Sequence, residues 1–249
     1  METLKNTPGI IKATFTVKRK EYITPHYIRI TLTGDDLHLY SGVTVGANNK
    51  IFITGKEQAM IRRTYTLRGL DLDAGEMQIE FVAHGEEGPA SAWAIHAKEG
   101  DLLEIAMKDK KSNLFPDADW YLLAGDHTAL PVISVMLENL PAHATGFALI
   151  EVAGPEDIIA IKTSSKVAVR WIFSNELTNP LYNEVINVAL PQTGSKFIFA
   201  AAESGIIKDL RVHFAQYSLQ REEFSAYAYW KKGISEDGSQ QERRGDRRN

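Results

Sequence analysis

The feature that most constrains this chain is a change of hydrophobic rhythm near position 115. From about Lys12 to Met107 short alternating runs follow one another, ATFTVKRK, HYIRITLTG, NKIFITG, RRTYTLRGL, MQIEFVAHG and DLLEIAM, divided by glycine, proline and aspartate. A period of two between turn formers marks half-buried antiparallel strands. One interruption breaks the series: GEEGPASAWAIHAKEG offers glycine and proline punctuation, then Ala90, Trp93, Ala94 and Ala97 at helical spacing, which predicts a short helix before the last strand. Beyond KDKKSNLFPDAD the strands become continuously apolar and alternate with helical patterns: WYLLAG, TALPVISVMLENL, GFALIEVAG, VAVRWIF, PLYNEVINVAL, KFIFAAAE, SGIIKDLRVHFAQY and FSAYAYW. Strands buried on both faces and joined by helices build a parallel sheet. The expected architecture is an antiparallel β barrel or sandwich over residues 1–115, an α/β domain over 116–234 and a disordered polar tail over 235–249.

A chain of 249 residues is long enough for two such cores. The formal net charge of −4 provides no global basic field, which disfavours nucleic acid as a partner. There is no cysteine, so thiolate nucleophiles, disulfides and cysteine-held metals are excluded, and redox chemistry needs a bound cofactor. No run approaches the roughly 18 uncharged apolar residues of a membrane span, and the first residues lack an apolar leader core, so no membrane partner and a cytoplasmic location are expected. The dinucleotide fingerprint, the P-loop, the serine elbow and the HExxH zinc motif are all missing. Histidines 26, 38, 84, 96, 127, 143 and 213 are scattered without metal-ligand spacing, so no metal site is expected.

Two segments carry chemistry. In Arg62-Arg63-Thr64-Tyr65-Thr66-Leu67-Arg68, strand period places Arg63 and Tyr65 on one face and Thr64, Thr66 and Arg68 on the other. Arg63 supplies a fork for phosphate, Tyr65 an aromatic face and Thr66 a hydroxyl, a set suited to a flat, anionic ligand. Some twenty residues on, His84-Gly85-Glu86-Glu87-Gly88-Pro89-Ala90-Ser91 puts small residues where a helix begins, and unpaired amides at a helix start attract phosphate. One such strand and one such helix start in a single small barrel can grip both ends of a dinucleotide.

Together with GDHTALP at 125–131, Ala202-Glu203 and Tyr229-Trp230-Lys231-Lys232-Gly233, these segments resemble the siderophore-interacting proteins. Those are FAD-dependent ferric-siderophore reductases of the ferredoxin-reductase-like superfamily. The resemblance runs from the first strands to about Gly233 and implies an N-terminal FAD-binding barrel followed by a nicotinamide-binding-type parallel-sheet domain. It implies that Arg63 pairs with the FAD pyrophosphate, Tyr65 packs on the isoalloxazine and Thr66 bonds near its N5 edge, with Arg68 and His84 also in the cofactor site. Gly88, Pro89, Ala90 and Ser91 become the phosphate turn, and Trp93 packs the helix. GDHTALP resembles the family's G-D-E-T-A-L-P, which brings Asp126 and Thr128 to the cofactor and leaves His127 as a departure from the family's glutamate.

By the same resemblance, Lys50, Lys110, Lys111, Lys231 and Lys232 hold an anionic ferric siderophore, although KDKK replaces the family's G-P-R-G at 108–111. No catalytic side chain is required, because the flavin carries the electrons. For the donor, Ser174-Asn175-Glu176-Leu177 after VAVRWIF sets an acid where a 2′-phosphate would need a cation, favouring NADH over NADPH unless Arg170 supplies one. A reduced ferredoxin is the other donor expected. The competing readings are a general flavin reductase, a ferredoxin-linked electron-transfer flavoprotein and a non-catalytic siderophore-binding protein.

Overall fold

The computed structural model describes residues 9–54, 59–175 and 177–233. Glu176 and the tail from 235 onward, on which two expectations rest, lie outside the described residues. The chain divides into two compact units, Met1–Leu114 and Phe115–Asn249.

The first unit is a closed barrel of six antiparallel strands: β1 Ile10–Thr24, β2 Tyr27–Thr33, β3 Asn48–Thr54, β4 Met60–Asp71, β5 Glu76–Val82 and β6 Leu102–Lys108, in the order β1-β2-β5-β4-β3-β6. Closure between β1 and β6 runs in register from Ile10 opposite Lys108 to Thr16 opposite Leu102. Alternation decides what faces inward: Asn49, Ile51 and Ile53 on β3 and Leu103, Ile105 and Met107 on β6 are buried, while their neighbours are not. Helix α1, Pro89–His96, follows β5. A 3-10 stretch over Asp35–Gly42, not anticipated from the sequence, buries Leu37 and Tyr40 against the barrel core.

The second unit is a five-stranded parallel sheet. Its strands are β7 Trp120–Gly125, β8 Thr145–Val152, β9 Lys166–Phe173, β10 Lys196–Glu203 and β11 Phe224–Trp230, ordered β11-β10-β7-β8-β9. Helices α2 Leu130–Asn139, α3 Pro180–Ile186 and α4 Ser204–Phe214 connect them. As their apolar sequences require, β7 and β10 are buried almost throughout. The backbones approach so closely that a Cβ on Gly146, at φ +123°, would lie 1.9 Å from the Tyr121 carbonyl oxygen. Helix α3 stops at Ile186, four residues short of the expected Leu190. There Val188 N bonds back to Val185 O in a tighter turn, and Pro191 disfavours helical backbone at the residue before it. Barrel followed by parallel sheet is one of the two architectures the change of rhythm allows. Among the described residues no helix is long and apolar enough to cross a membrane.

Candidate functional site

In the barrel, β4 carries the first segment. Opposite one another on β3 and β4 stand Asn49 and Tyr65, Lys50 and Thr64, and Ile51 and Arg63. Because Asn49 and Ile51 are buried in the barrel core, Arg63 and Tyr65 share the inner face of the ladder, and Lys50, Thr64, Thr66 and Arg68 the outer one. The Tyr65 ring lies 4.5 Å from Phe81 on β5, centroid to centroid, and Phe81 lies 5.5 Å from Trp93 on α1. This row of three rings ties the arginine strand to the helix that follows the glycine-proline turn. Arg63 is half-buried, its guanidinium bonded to the Arg62 carbonyl, and Thr66 is buried.

Arg68 is spoken for. Its Nε stands 3.5 Å from Glu80 Oε1, and the same carboxylate receives Arg29 Nε at 2.9 Å and the Tyr27 hydroxyl at 2.9 Å. Glu80 is buried, so two guanidiniums and a phenol offset the cost of a charge held out of water. Burial beside that carboxylate pushes the Tyr27 phenol well above its ordinary range. Arg68 thus braces β4 against β5. Nothing in the spacing of Glu80 announces a partner twelve positions away across a strand pair.

The second segment forms a turn closed from within. Ser91 Oγ donates to the Gly85 carbonyl at 2.7 Å and accepts from the His84 amide at 3.0 Å, so this hydroxyl shapes the loop. His84 packs its ring over Gly88, where an added Cβ would stand 2.5 Å from Cε1. Gly88 is the N-cap of α1, Pro89 occupies the first helical turn, and no side chain caps the helix. No side-chain oxygen caps the amides of that turn, the arrangement an anion needs. An arginine strand, an aromatic face and an uncapped glycine-proline helix start in one barrel fit a dinucleotide.

In the parallel sheet, Asp126 and Thr128 follow β7, next to the point where the strand order reverses between β7 and β10. Asp126 Oδ1 accepts from Thr128 N at 2.9 Å and Thr128 Oγ1 at 2.5 Å. Its Oδ2 accepts from Glu203 N at 3.0 Å and Trp230 Nε1 at 2.7 Å. Both carboxylate oxygens are engaged by the protein itself, and burial pushes the Asp126 carboxyl up against the pull of these bonds. Gly125 is required before it, since a Cβ there would meet Ala129 Cβ at 2.5 Å and the Ala201 carbonyl at 2.8 Å. His127 stands with Nε2 3.8 Å from the buried Asp157.

The lysines fall in separate places. Lys50 donates to Thr64 on the outer face of β3. Exposed Lys110 and Lys111 lie just past the end of β6, toward the same end of the β3–β6 ladder. Lys231, half-buried, and Lys232, exposed, follow β11 in the second unit.

Residues 118–233 match the siderophore-interacting protein family, and residues 43–109 match its siderophore-interacting FAD-binding domain. The crystal structure of the siderophore-interacting protein SipS from Aeromonas hydrophila superposes with a TM-score of 0.86 at 30% identity, over 97% of this chain and 100% of that one. The chain belongs to the siderophore-interacting protein family. Ferric vibriobactin reductase ViuB of Vibrio cholerae is 28% identical over 247 residues, covering 90% of this chain and 91% of ViuB. The fold extends further: a ferredoxin NADP+ reductase from Neisseria gonorrhoeae, solved with FAD and NADP, superposes at TM-score 0.61 with 14% identity over 90% of this chain and 100% of that one.

Proposed function

We propose that this member of the family is an FAD-dependent ferric-siderophore reductase that frees iron in the cytoplasm, with NADH or a reduced ferredoxin as donor. The observation that carries the reading is the Tyr65-Phe81-Trp93 row, which sets the arginine strand and the uncapped start of α1 side by side in one barrel. Similarity to ViuB and to SipS supports the substrate class.

FAD, when bound, takes up two electrons together and releases them singly, which suits reduction of iron(III) to iron(II) one electron at a time. The chain's own residues do the rest. Arg63 would hold the pyrophosphate as a charged fork, the backbone amides after Gly88 would supply further donors to it, and Tyr65 would offer its ring to the isoalloxazine. Arg68, braced by Glu80, would keep β4 in register for that task. Lys50, Lys110, Lys111, Lys231 and Lys232 lower the cost of bringing an anionic chelate close, on a protein whose net charge is −4. No side chain needs to move a proton, because hard oxygen ligands hold iron(II) less tightly and reduction itself loosens the metal.

The test is anaerobic. Purified protein loaded with FAD would be mixed with NADH, NADPH and reduced ferredoxin in parallel, and the reduced protein then with a ferric siderophore beside a ferrous-iron trap. Bleaching of the flavin, its return on adding chelate and capture of iron(II) are expected. A flavin that reduces but passes nothing to any ferric chelate would leave a general flavin reductase.

A further inference from the structure

Two carboxylates at the carboxyl edge of the parallel sheet converge on one short segment. Asp126 follows β7, Glu203 ends β10, and these are the strands between which the sheet order reverses. Asp126 Oδ2 accepts from the Trp230 indole at 2.7 Å and from the Glu203 amide at 3.0 Å. Glu203 Oε1 in turn accepts from the Lys232 amide at 3.2 Å and the Ser204 hydroxyl at 2.9 Å, while Oε2 takes the Gly205 amide and caps α4. Residues 230 and 232 are thereby fastened on either side of Lys231, the first by its side chain and the second by its backbone.

This fastening is not a by-product of burial. Trp230 is 45% exposed, yet its indole N–H is bonded to Asp126. Asp126, by contrast, is 8% exposed and carries a charge out of solvent to make the bond. Charge-assisted bonds of this kind are shorter and stronger than neutral ones, and here they converge on the end of β11 and the residues just after it.

We propose that Asp126, Glu203 and Trp230 are positioning residues for substrate, fixing the backbone from which Lys231 and Lys232 reach an anionic ferric chelate. The inference rests on the assignment of these two lysines under the proposed function. A fixed backbone removes the ordering cost that a frayed one would incur at every binding event, so the clamp acts on chelate affinity and not on the flavin. It also gives Asp126 a role within its own domain.

Trp230→Phe keeps an aromatic ring and deletes the donor. FAD-loaded protein, reduced anaerobically with dithionite, would be reoxidised by a trianionic ferric tris-catecholate or by an uncharged ferric tris-hydroxamate at increasing chelate concentration. The half-saturating concentration of the tris-catecholate should rise about fivefold to tenfold, less than the full worth of one charge-assisted bond because the bond orders the lysines and does not itself touch the chelate. The limiting rate and the flavin content should stay close to those of the unaltered protein, and the tris-hydroxamate should respond less. Asp126→Asn keeps an acceptor but removes its charge, so it should give a smaller rise of the same kind, and the double variant should add little to Trp230→Phe, because both substitutions act on the same bond. If Asp126→Asn does not fold, Trp230→Phe decides alone. An unchanged half-saturation in Trp230→Phe, an equal rise for both chelates, or fully multiplying effects in the double variant would overturn the proposal. A Lys231→Ala/Lys232→Ala protein separates the two levels. If removing the lysines leaves the tris-catecholate unaffected, their assignment has failed and the clamp with it; if it raises the half-saturation while Trp230→Phe does not, only the clamp has failed.

Discussion

Tyr27 donates its hydroxyl to Glu80 at 2.9 Å, both residues buried, and Arg29 and Arg68 press on the same carboxylate from neighbouring strands. Glu80→Ala would remove an acceptor from the Arg29 guanidinium and the Tyr27 phenol and an opposite charge from Arg68. A loss of about 2 to 3 kcal/mol is expected, below the value for a fully buried pair because both arginines keep some access to water. Urea unfolding of the flavin-free protein measures it. A midpoint that stays in place would mean that the network adds nothing to folding.

Asn49 makes the opposite case. Its carboxamide is sealed inside the barrel opposite Tyr65 and Met107, and neither its oxygen nor its nitrogen has a hydrogen-bond partner among the described residues. Asn49→Leu, close in volume and without polar atoms, should stabilise the flavin-free protein by about 1 to 2 kcal/mol. Thermal unfolding would register the gain. Destabilisation instead would reveal an ordered water on the amide.

Glu76 is set up for a pH effect. Lys18 and Arg19 both reach it, at 2.9 and 2.7 Å, because a bulge between Val17 and Arg19 upsets the alternation of β1. Hydrogen bonds from Arg19 and Lys18 lower its carboxyl from 4.5 to about 2. The folded state therefore favours the ionised form. Its contribution is complete above about pH 4.5 and disappears as pH falls toward about 2. Glu76→Gln should flatten stability against pH across that window, as read from urea midpoints at several pH values. Curves that remain parallel would show that this carboxylate is without influence.

Arg63→Ala should weaken FAD binding by about 1.5 to 3 kcal/mol, or roughly tenfold to a hundredfold in Kd, through loss of a charged hydrogen bond to phosphate. Quenching of flavin fluorescence on titration gives the constant directly. Full retention of FAD through dialysis would remove Arg63 from the site.

The strands were legible because burial on one face or two writes itself into the period of the sequence. At Arg63 and Tyr65 the alternation also gives the correct shared face. What the period cannot carry is register. That Glu80 stands beside Arg68 depends on how β4 and β5 slide past each other, and the bulge between Leu67 and Gly69 is part of that setting. The Trp230 to Asp126 bond spans 104 positions and follows from the parallel order of the sheet, which no local pattern records. That the Ser91 hydroxyl faces Gly85 and His84 is a choice made by a loop geometry that small residues allow but do not spell out.

The order β11-β10-β7-β8-β9 has a cost at one margin. The closed barrel leaves no outermost strand, but the parallel sheet leaves two, and they are unequally guarded. β9 carries Lys166 and Arg170, charges that discourage a foreign strand from pairing alongside. β11 reads FSAYAYW, seven residues without a charge and rich in aromatic rings, the composition that stacks most readily into fibrils. Arg211 from α4 does donate to the Ala226 carbonyl at 2.7 Å and so engages one acceptor of this strand. The segment that lays down this strand just ahead of Lys231 and Lys232 is thus also a place where the protein is exposed to self-assembly when it unfolds.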